Sequence, residues 1–597
     1  MVWKMWAPAA ALLSLTIANA LGAANGYLVH NLVSDLPGLA DHTDKNLINP
    51  WGNGFSATSP FWIGNNRSGT STLYDGTGTA LALVVGVPAP AGPGTQGAIT
   101  GVFFNTTTGY LIPTATGAGN KALFLFCTEN GTIAAWNGGT AATILVNNSA
   151  AKAVYKGCAL SGATTTSQLF AANFGSGKVD VFDQTFKPAT AAGGFVDAQV
   201  PAGFAPFNLA VLGGKVYVTY AKQDGAQLYD VPGAGNGYVA IFDLNGNLLT
   251  HLISQGPLNS PWGLAIAPAS FGTYAGALLV ANFGDGTINA FDAVAGKYLG
   301  TLNDVEGAPI TLPGLWSIAF GNGGRGGDAA TLYFTAGISG PLGEGVQSHG
   351  LMGSIQPPPA FLQTSIVNAA SFTAALAPNT FVSILGGALA ATTRNWRSSD
   401  FVANKLPTTL DGVSVTANGE PAYVSYISPT QINILLPADL QPGAVKIQTF
   451  NNGEVSQTAT VTLQATGPSF FVLTGNKYVA ATHADGSLAA PSGLITGVTS
   501  TPAKSGETIV LYLNGCGATT QSIPNGSTIT APLTLASTPV VTIGGVNAPV
   551  AFAGLTSAGL FQFNVLVPSG LTSGDNAIVA QIPGSPNTQS NVFVSVQ

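Results

Sequence analysis

At 597 residues the chain is longer than one ordinary domain, so two to four structural units are expected. Only 7% of its residues are charged and 46% are apolar, which excludes a disordered chain, since disorder needs low hydrophobicity and high charge. The net charge of −7 comes without any Lys/Arg cluster, so no basic face exists to neutralise phosphates and nucleic acid is set aside as a partner.

The chain begins with the pattern of a leader. Lys4 supplies a positive start, Ala7 to Ile17 an apolar core, and Ala18-Asn19-Ala20 an A-x-A cleavage site, so residues 1–20 are expected to be a signal peptide, with Ala24 the second choice of cut. The apolar stretch is too short for a bilayer, and no later segment reaches 18 apolar residues. An exported protein, periplasmic or extracellular and without a transmembrane anchor, is expected. Cys127, Cys158 and Cys516 do not form a disulfide framework. Cys127 and Cys158 are read as buried, inert thiols, with pairing between neighbouring sheets as the alternative.

From residue 26 to 357 a four-stranded unit recurs. The cassette Ala172-Asn173-Phe174-Gly175-Ser176-Gly177, followed by Val181-Phe182-Asp183, returns 109 residues later as Ala281-Asn282-Phe283-Gly284-Asp285-Gly286 with Ala290-Phe291-Asp292. Aromatic-Asp or aromatic-Asn closes a third strand at Tyr74-Asp75, Trp136-Asn137, Phe182-Asp183, Phe242-Asp243 and Phe291-Asp292. First strands are expected to begin near Asn49, Thr100, Tyr155, Pro206, Pro261 and Leu315. The sixth unit has three strands before Pro357-Pro358-Pro359, and Tyr27 to Val33 is available to supply the fourth. The expectation is an all-β chain opening with a six-bladed β-propeller, closed by strand 27–33 so that no sheet edge is left open.

Beyond the proline linker another repeat takes over. Gln431, Asn433 and Pro437 recur 131 residues later as Gln562, Asn564 and Pro568. Short alternating strands at this spacing predict two immunoglobulin-like β-sandwich domains, 358–465 and 466–597, with their boundary near Gly467-Pro468. The Gln/Asn pairs are read as a repeated structural feature, facing solvent beside the buried Ile432, Phe563 and Val565.

Two motif sets carry family resemblances. Leu32-Val33-Ser34-Asp35 and Asn49-Pro50-Trp51-Gly52 resemble the opening of an uncharacterised, exported bacterial six-bladed propeller family, NHL-like in fold. Ile366-Val367-Asn368-Ala369-Ala370-Ser371-Phe372 and Ser428-Pro429-Thr430-Gln431-Ile432-Asn433 resemble the Solibacter-type uncharacterised C-terminal domain. Neither resemblance implies an activity.

Propeller topology brings the loops between second and third strands, and those between blades, to one face around the channel. The candidate ligand-binding residues on that face are Asp41, His42, Asp44, Asn65, Asn66, Asn173, Asn282, Glu344 and His349, with Asp224 and Asp230 on the same long loops. The alternative is a solvated rim whose Asn and Asp side chains serve turns. Ca²⁺ is the cofactor that such oxygen ligands would suit, although the first strands open on Trp51, Phe207, Trp262 and Trp316 rather than on acids. Those aromatics either stack on a sugar or pack between neighbouring blades. His42 and His349 are the histidines expected to be able to meet as metal ligands, whereas His30 and His251 belong to outer strands as structural residues. Gly321 to Gly326 satisfies G-x-G-x-x-G but opens no helix, and Asp243 to Asn247 starts like a calcium loop but has Ser254 at position twelve; both are read as turns. No G-x-S-x-G elbow is present and no Ser/His/Asp set follows from spacing, so no catalytic residue is assigned. The functional expectation is an exported, non-catalytic binding or surface-interaction protein with a carbohydrate or protein ligand. The alternative is a secreted, calcium-dependent hydrolase or lyase acting at the channel mouth.

Overall fold

The computed structural model describes residues 26–597 except 91–94, 116, 118, 163–165, 474 and 476. The expected leader, residues 1–20, lies outside the described residues. Among the described residues the regular structure is all β with three single-turn 3₁₀ segments, and no helix is long and apolar enough to cross a membrane. The chain divides into two compact units at Pro357-Pro358.

Among the described residues the N-terminal unit contains six sheets of four or more strands, antiparallel throughout except for the two-residue strand His42–Thr43, which pairs parallel at the edge of the sixth. Their first strands are Pro50–Gly54, Ile99–Phe104, Tyr155–Leu160, Phe204–Leu212, Pro261–Ile266 and Leu315–Phe320. Each first strand lies beside the first strand of the next sheet, and the sixth lies beside the first, so the succession closes into a propeller-like ring. The second strands Phe61–Asn65, Phe124–Thr128, Leu169–Asn173 and Leu278–Asn282 are buried at every residue, because neighbouring sheets cover both faces. The fourth strand Ala80–Gly86, at the periphery of the first sheet, is only partly covered. The sixth sheet takes its fourth strand from the start of the chain. Leu28–Ser34 pairs antiparallel with Leu351–Gln356, from Leu28 opposite Gln356 to Ser34 opposite Leu351.

The aromatic-Asp dipeptides combine two local jobs. Tyr74, Phe182, Phe242 and Phe291 are buried at the ends of third strands. The following carboxylate accepts backbone N–H groups of the next turn: Thr77 and Thr79 on Asp75, Thr185 and Lys187 on Asp183, Asn245 and Asn247 on Asp243. A carboxylate two to four residues before the N–H it binds is the Asx arrangement that starts a turn. The start of a calcium loop at Asp243 is therefore a turn.

Cys127 and Cys158, read as separate thiols, form a disulfide between the second strand of sheet two and the first strand of sheet three. Gly101 pairs with Cys127 and directly abuts Cys158, where a Cβ on Gly101 would come within 3.6 Å of the Cys158 Cβ. The missing side chain leaves room for the bridge. Cys516 is buried and free.

The C-terminal unit consists of two sandwiches, each of two sheets. In the first, Val382, Ile384, Val424 and Ile432 of one sheet pack on Val415, Ile447 and Val461 of the other. In the second, Leu511, Phe561 and Phe563 pack on Val541, Ile543 and Ile578. A polar joint links the two sandwiches. Asn514, fully buried, accepts the Phe381 N–H at 2.9 Å and donates to the Phe381 carbonyl at 2.9 Å and to Asn368 Oδ1 at 3.1 Å. Gln431, expected to face solvent, is 6% exposed. Its strand is central in its sheet, and its Nε2 donates to Asn433 Oδ1 at 2.7 Å, a bond that Gln562 repeats to Asn564 at 2.8 Å.

Candidate functional site

The centre of the ring is built by six backbone irregularities. Each first strand breaks register with its second strand close to its start: between Pro50 and Asn53, Ile99 and Gly101, Tyr155 and Cys158, Pro206 and Asn208, Pro261 and Gly263, and Leu315 and Ile318. A bulge leaves a residue outside the ladder and re-aims its side chain. The residues released are Trp51, Thr100, Lys156, Phe207, Trp262 and Trp316, with a second residue released in the three wider breaks.

The four aromatics among them meet in one buried cluster with Phe174 and Phe283. Trp51 stacks on Trp316 at 3.4 Å between ring centroids, and Phe283 also stacks on Trp316, at 4.0 Å. Trp262 stands edge-on to Trp51 and Trp316 at 6.3 and 5.9 Å. Phe207 of sheet four reaches Trp316 of sheet six at 6.1 Å, so these rings pack across the axis as well as between neighbours.

Lys156 occupies the same bulge position in sheet three and is 2% exposed. Its Nζ pairs with Glu129 Oε1 at 2.5 Å and lies 5.3 Å from the Trp51 ring centroid, 5.7 Å from Phe174 and 5.4 Å from Tyr229. Glu129 follows the second strand of sheet two, where sheet one has Asn66. Asn66 Nδ2 donates to Glu129 Oε2 at 2.9 Å, and Asn49 Nδ2 donates to Asn66 Oδ1 at 3.2 Å and to Gln347 Oε1 at 3.1 Å. Trp316 Nε1 donates to Asn49 Oδ1 at 3.3 Å, joining the aromatic cluster to this chain of amides. Asp230 lies within electrostatic reach of Lys156 and Glu129; burial holds its carboxyl above the usual carboxylate range, against the opposing pull of Ser260 and Lys156. Trp51 Nε1 is buried without a hydrogen-bond partner among the described residues, and Asp230 Oδ2 and Ser260 Oγ lack one of good geometry.

The sequence-derived candidates separate into different settings. Asn66 belongs to the central network. Asp41 pairs with His30 Nε2 at 2.9 Å, and His42 is exposed on a two-residue strand beside it. Asp44 accepts the Tyr74 hydroxyl at 2.8 Å and the Asn46 N–H at 2.9 Å. Asn65 is fully buried and donates to Thr72 at 2.9 Å. Asn173 accepts the Val154 N–H at 3.1 Å and donates to Asp180 at 2.9 Å; Asn282 accepts the Asn259 N–H at 3.1 Å and donates to the Pro257 carbonyl at 2.8 Å. Glu344 accepts the Leu342 N–H at 3.0 Å, and His349 Nδ1 meets Asp35 Oδ2 at 2.6 Å, a partner the sequence did not suggest for it. Among the described residues no three His, Cys, Asp or Glu side chains are grouped to hold a metal ion. The two long loops add exposed apolar residues: Leu228 and Tyr229 on one, Leu342 and Val346 on the other.

Sequence reasoning passed over Lys156 and Glu129. The available signal was alignment of the repeats: Lys156 falls where four of the five other first strands carry Trp or Phe, and Glu129 where three other second strands are followed by Asn66, Phe174 or Phe283.

No protein-family model matches the chain. Two uncharacterised proteins of Acanthamoeba polyphaga mimivirus are similar in sequence. R648 is 34% identical over 307 residues, covering 50% of this chain and 74% of that protein. L690 is 33% identical over 304 residues, covering 49% and 78%. Among solved structures, a streptogramin B lyase is similar at 10% identity and a TM-score of 0.32, over 56% of this chain and 99% of that one. An α-L-arabinanase of Penicillium chrysogenum complexed with arabinobiose is similar at 10% identity and a TM-score of 0.35, over 55% and 98%.

Proposed function

We propose, for a chain that belongs along about half of its length to the family of the mimivirus proteins R648 and L690, that its N-terminal unit is a six-bladed β-propeller serving as the ligand-binding head of an exported protein. The two C-terminal sandwiches are immunoglobulin-like modules that carry the head, the reading to which the Solibacter-type resemblance of residues 366–372 and 428–433 also leads. The ligand seats on the loops that surround the bulge ring, and it is a carbohydrate.

The observation that carries this reading is the buried Lys156–Glu129 pair, with an uncommitted Trp51 Nε1 and the loosely held polar atoms of Asp230 and Ser260 beside it. A charge pair removed from water is a net burden unless its remaining donors and acceptors are satisfied, and poorly partnered polar atoms beside it call for an explanation, which recognition of a polar ligand supplies. Amides of Asn66 and Gln347, the acid of Asp230 and the hydroxyl of Ser260 supply the alternating donors and acceptors that a polyol needs. Tyr229, 64% exposed above Lys156, offers an aromatic face to the sugar ring.

Isothermal titration of the full chain against arabino-, xylo-, cello- and chito-oligosaccharides tests this reading. One of these series is expected to bind, and Tyr229→Ala to weaken it about tenfold, the equivalent of ~1.4 kcal/mol. Absence of binding by all four series, or equal binding by wild type and Tyr229→Ala, would overturn it.

A further inference from the structure

We propose that the outer rim of the fourth sheet carries a second site, in which Asp197, His251 and Ser254 form a hydrolytic triad acting on short-chain acyl esters. It shares no residue with the mouth of the ring and does not depend on what binds there.

The triad arises from a register break. His251 and Ser254 lie on the strand Leu248–Ser254, three residues apart, and in a regular strand that odd spacing puts side chains on opposite faces. Here Ala240 pairs with His251 and Val239 with Ile253, so Leu252 is extra and the parity is reversed. His251 Nε2 consequently meets Ser254 Oγ at 2.7 Å. Its other nitrogen, Nδ1, meets Asp197 Oδ2 at 2.5 Å. Asp197 arrives from the connection between sheets three and four, 54 positions earlier in the chain. The Gln199 N–H holds its second oxygen at 3.0 Å.

Burial is graded in the order that acyl transfer requires. The Asp197 side chain is 0% exposed and that of His251 is 9% exposed, while Ser254 is open to solvent at the strand end. An ionised carboxylate can only accept, so it fixes the imidazole proton on Nδ1 and turns the Nε2 lone pair toward the serine hydroxyl. The Tyr238 ring lies 5.9 Å from the imidazole. Tyr220 is the other titratable side chain close by, and burial first, then the Asp197 charge, raises its phenol above its ordinary range and keeps it neutral. After Ser254 the backbone turns sharply through Gln255 and Gly256, both left-handed at φ 53° and 57°. The Gly256 N–H has no hydrogen-bond partner among the described residues and is available to an oxyanion.

In the proposed reaction Ser254 Oγ bonds to the ester carbonyl carbon while His251 Nε2 takes the hydroxyl proton. The alcohol leaves with that proton as the C–O bond breaks. Water, giving its proton to His251, then attacks the acyl-serine and releases the acid, and Ser254 recovers its proton. The sum is ester plus water giving acid plus alcohol. An exposed serine on an open strand end suits a small acyl group, such as acetyl, presented by a larger molecule. Ser254 and His251 are the catalytic residues, and Asp197 is a positioning residue.

The test uses the full chain with a biotinylated fluorophosphonate and, separately, p-nitrophenyl acetate. The expected result is a labelled peptide containing Ser254, and ester turnover reduced about 100-fold or more by Ser254→Ala and by His251→Gln. Ser254→Ala alters an exposed side chain, so its unfolding midpoint should match that of wild type. Asp197→Asn is expected to lower kcat with KM unchanged, which loss of packing alone would not do. Absence of label on Ser254 in the wild type, or turnover unaltered in Ser254→Ala, would overturn the proposal.

Discussion

Single side chains at the bulge position decide what the ring's centre is. Where the residue is Trp or Phe the centre is packed with buried rings; where it is Lys156 a charge is carried into the same place. The charge is tolerated because Glu129 neutralises it, three rings face it, and Asn66 satisfies the second carboxylate oxygen. Asp230 is less well served. Its carboxyl is raised by burial, so the unfolded chain gives up this proton at a lower pH than the folded chain does. Stability therefore falls as pH rises from the ordinary carboxylate range, about 4, through the raised value. Asp230→Asn should melt at a higher temperature than wild type at pH 7. The gap should close as the pH is lowered toward about 4, which differential scanning calorimetry across that range will measure.

The element that matters most is the first strand of each sheet with its bulge. Bulges interrupt the ladder near the ring's axis, so the side chains that would otherwise alternate across a sheet are redirected toward the centre. The same device on the fourth strand of sheet four aligns His251 with Ser254. Stitching between elements is covalent at one place, where the Cys127–Cys158 bridge spans 31 positions. Closing a loop of that length restricts the unfolded chain by about 3–4 kcal/mol in the chain-entropy account. The Cys127→Ala/Cys158→Ala variant should lose about that much in denaturant unfolding under non-reducing conditions, and added reductant should lower the wild-type midpoint but not the variant's.

At the scale of the molecule, closure of the ring depends on two distant segments of chain. Leu28–Ser34 covers Leu351–Gln356, and Leu32 and Val33 enter a core with Phe61, Ile63, Tyr333 and Met352. Without that strand the sixth sheet would present an open, apolar edge, the condition that promotes edge-to-edge association. A chain lacking residues 26–34 should elute as aggregate in size-exclusion chromatography, and a synthetic peptide of residues 26–35 added during refolding should restore the elution volume of the full chain. In the C-terminal unit the comparable device is polar: Asn514 reproduces a strand's pair of bonds on Phe381, and Asn368 completes the joint. This explains the Asn in the Ile366 to Phe372 motif.

Local chemistry was legible from the sequence. The aromatic-Asp dipeptides mark third-strand ends because one residue is buried and the next binds its own turn, and both effects act within a few positions. First-strand starts expected near Asn49, Thr100, Tyr155, Pro206, Pro261 and Leu315 lie within two residues of the observed ones, since proline and apolar runs act locally as well. What the tertiary structure alone decided is who meets whom. Lys156 finds Glu129, Cys127 finds Cys158 over Gly101, His349 finds Asp35, and His251 finds Ser254 and Asp197. These meetings depend on sheets stacking side by side and on bulges that reverse side-chain parity, and neither leaves a period in the amino-acid sequence.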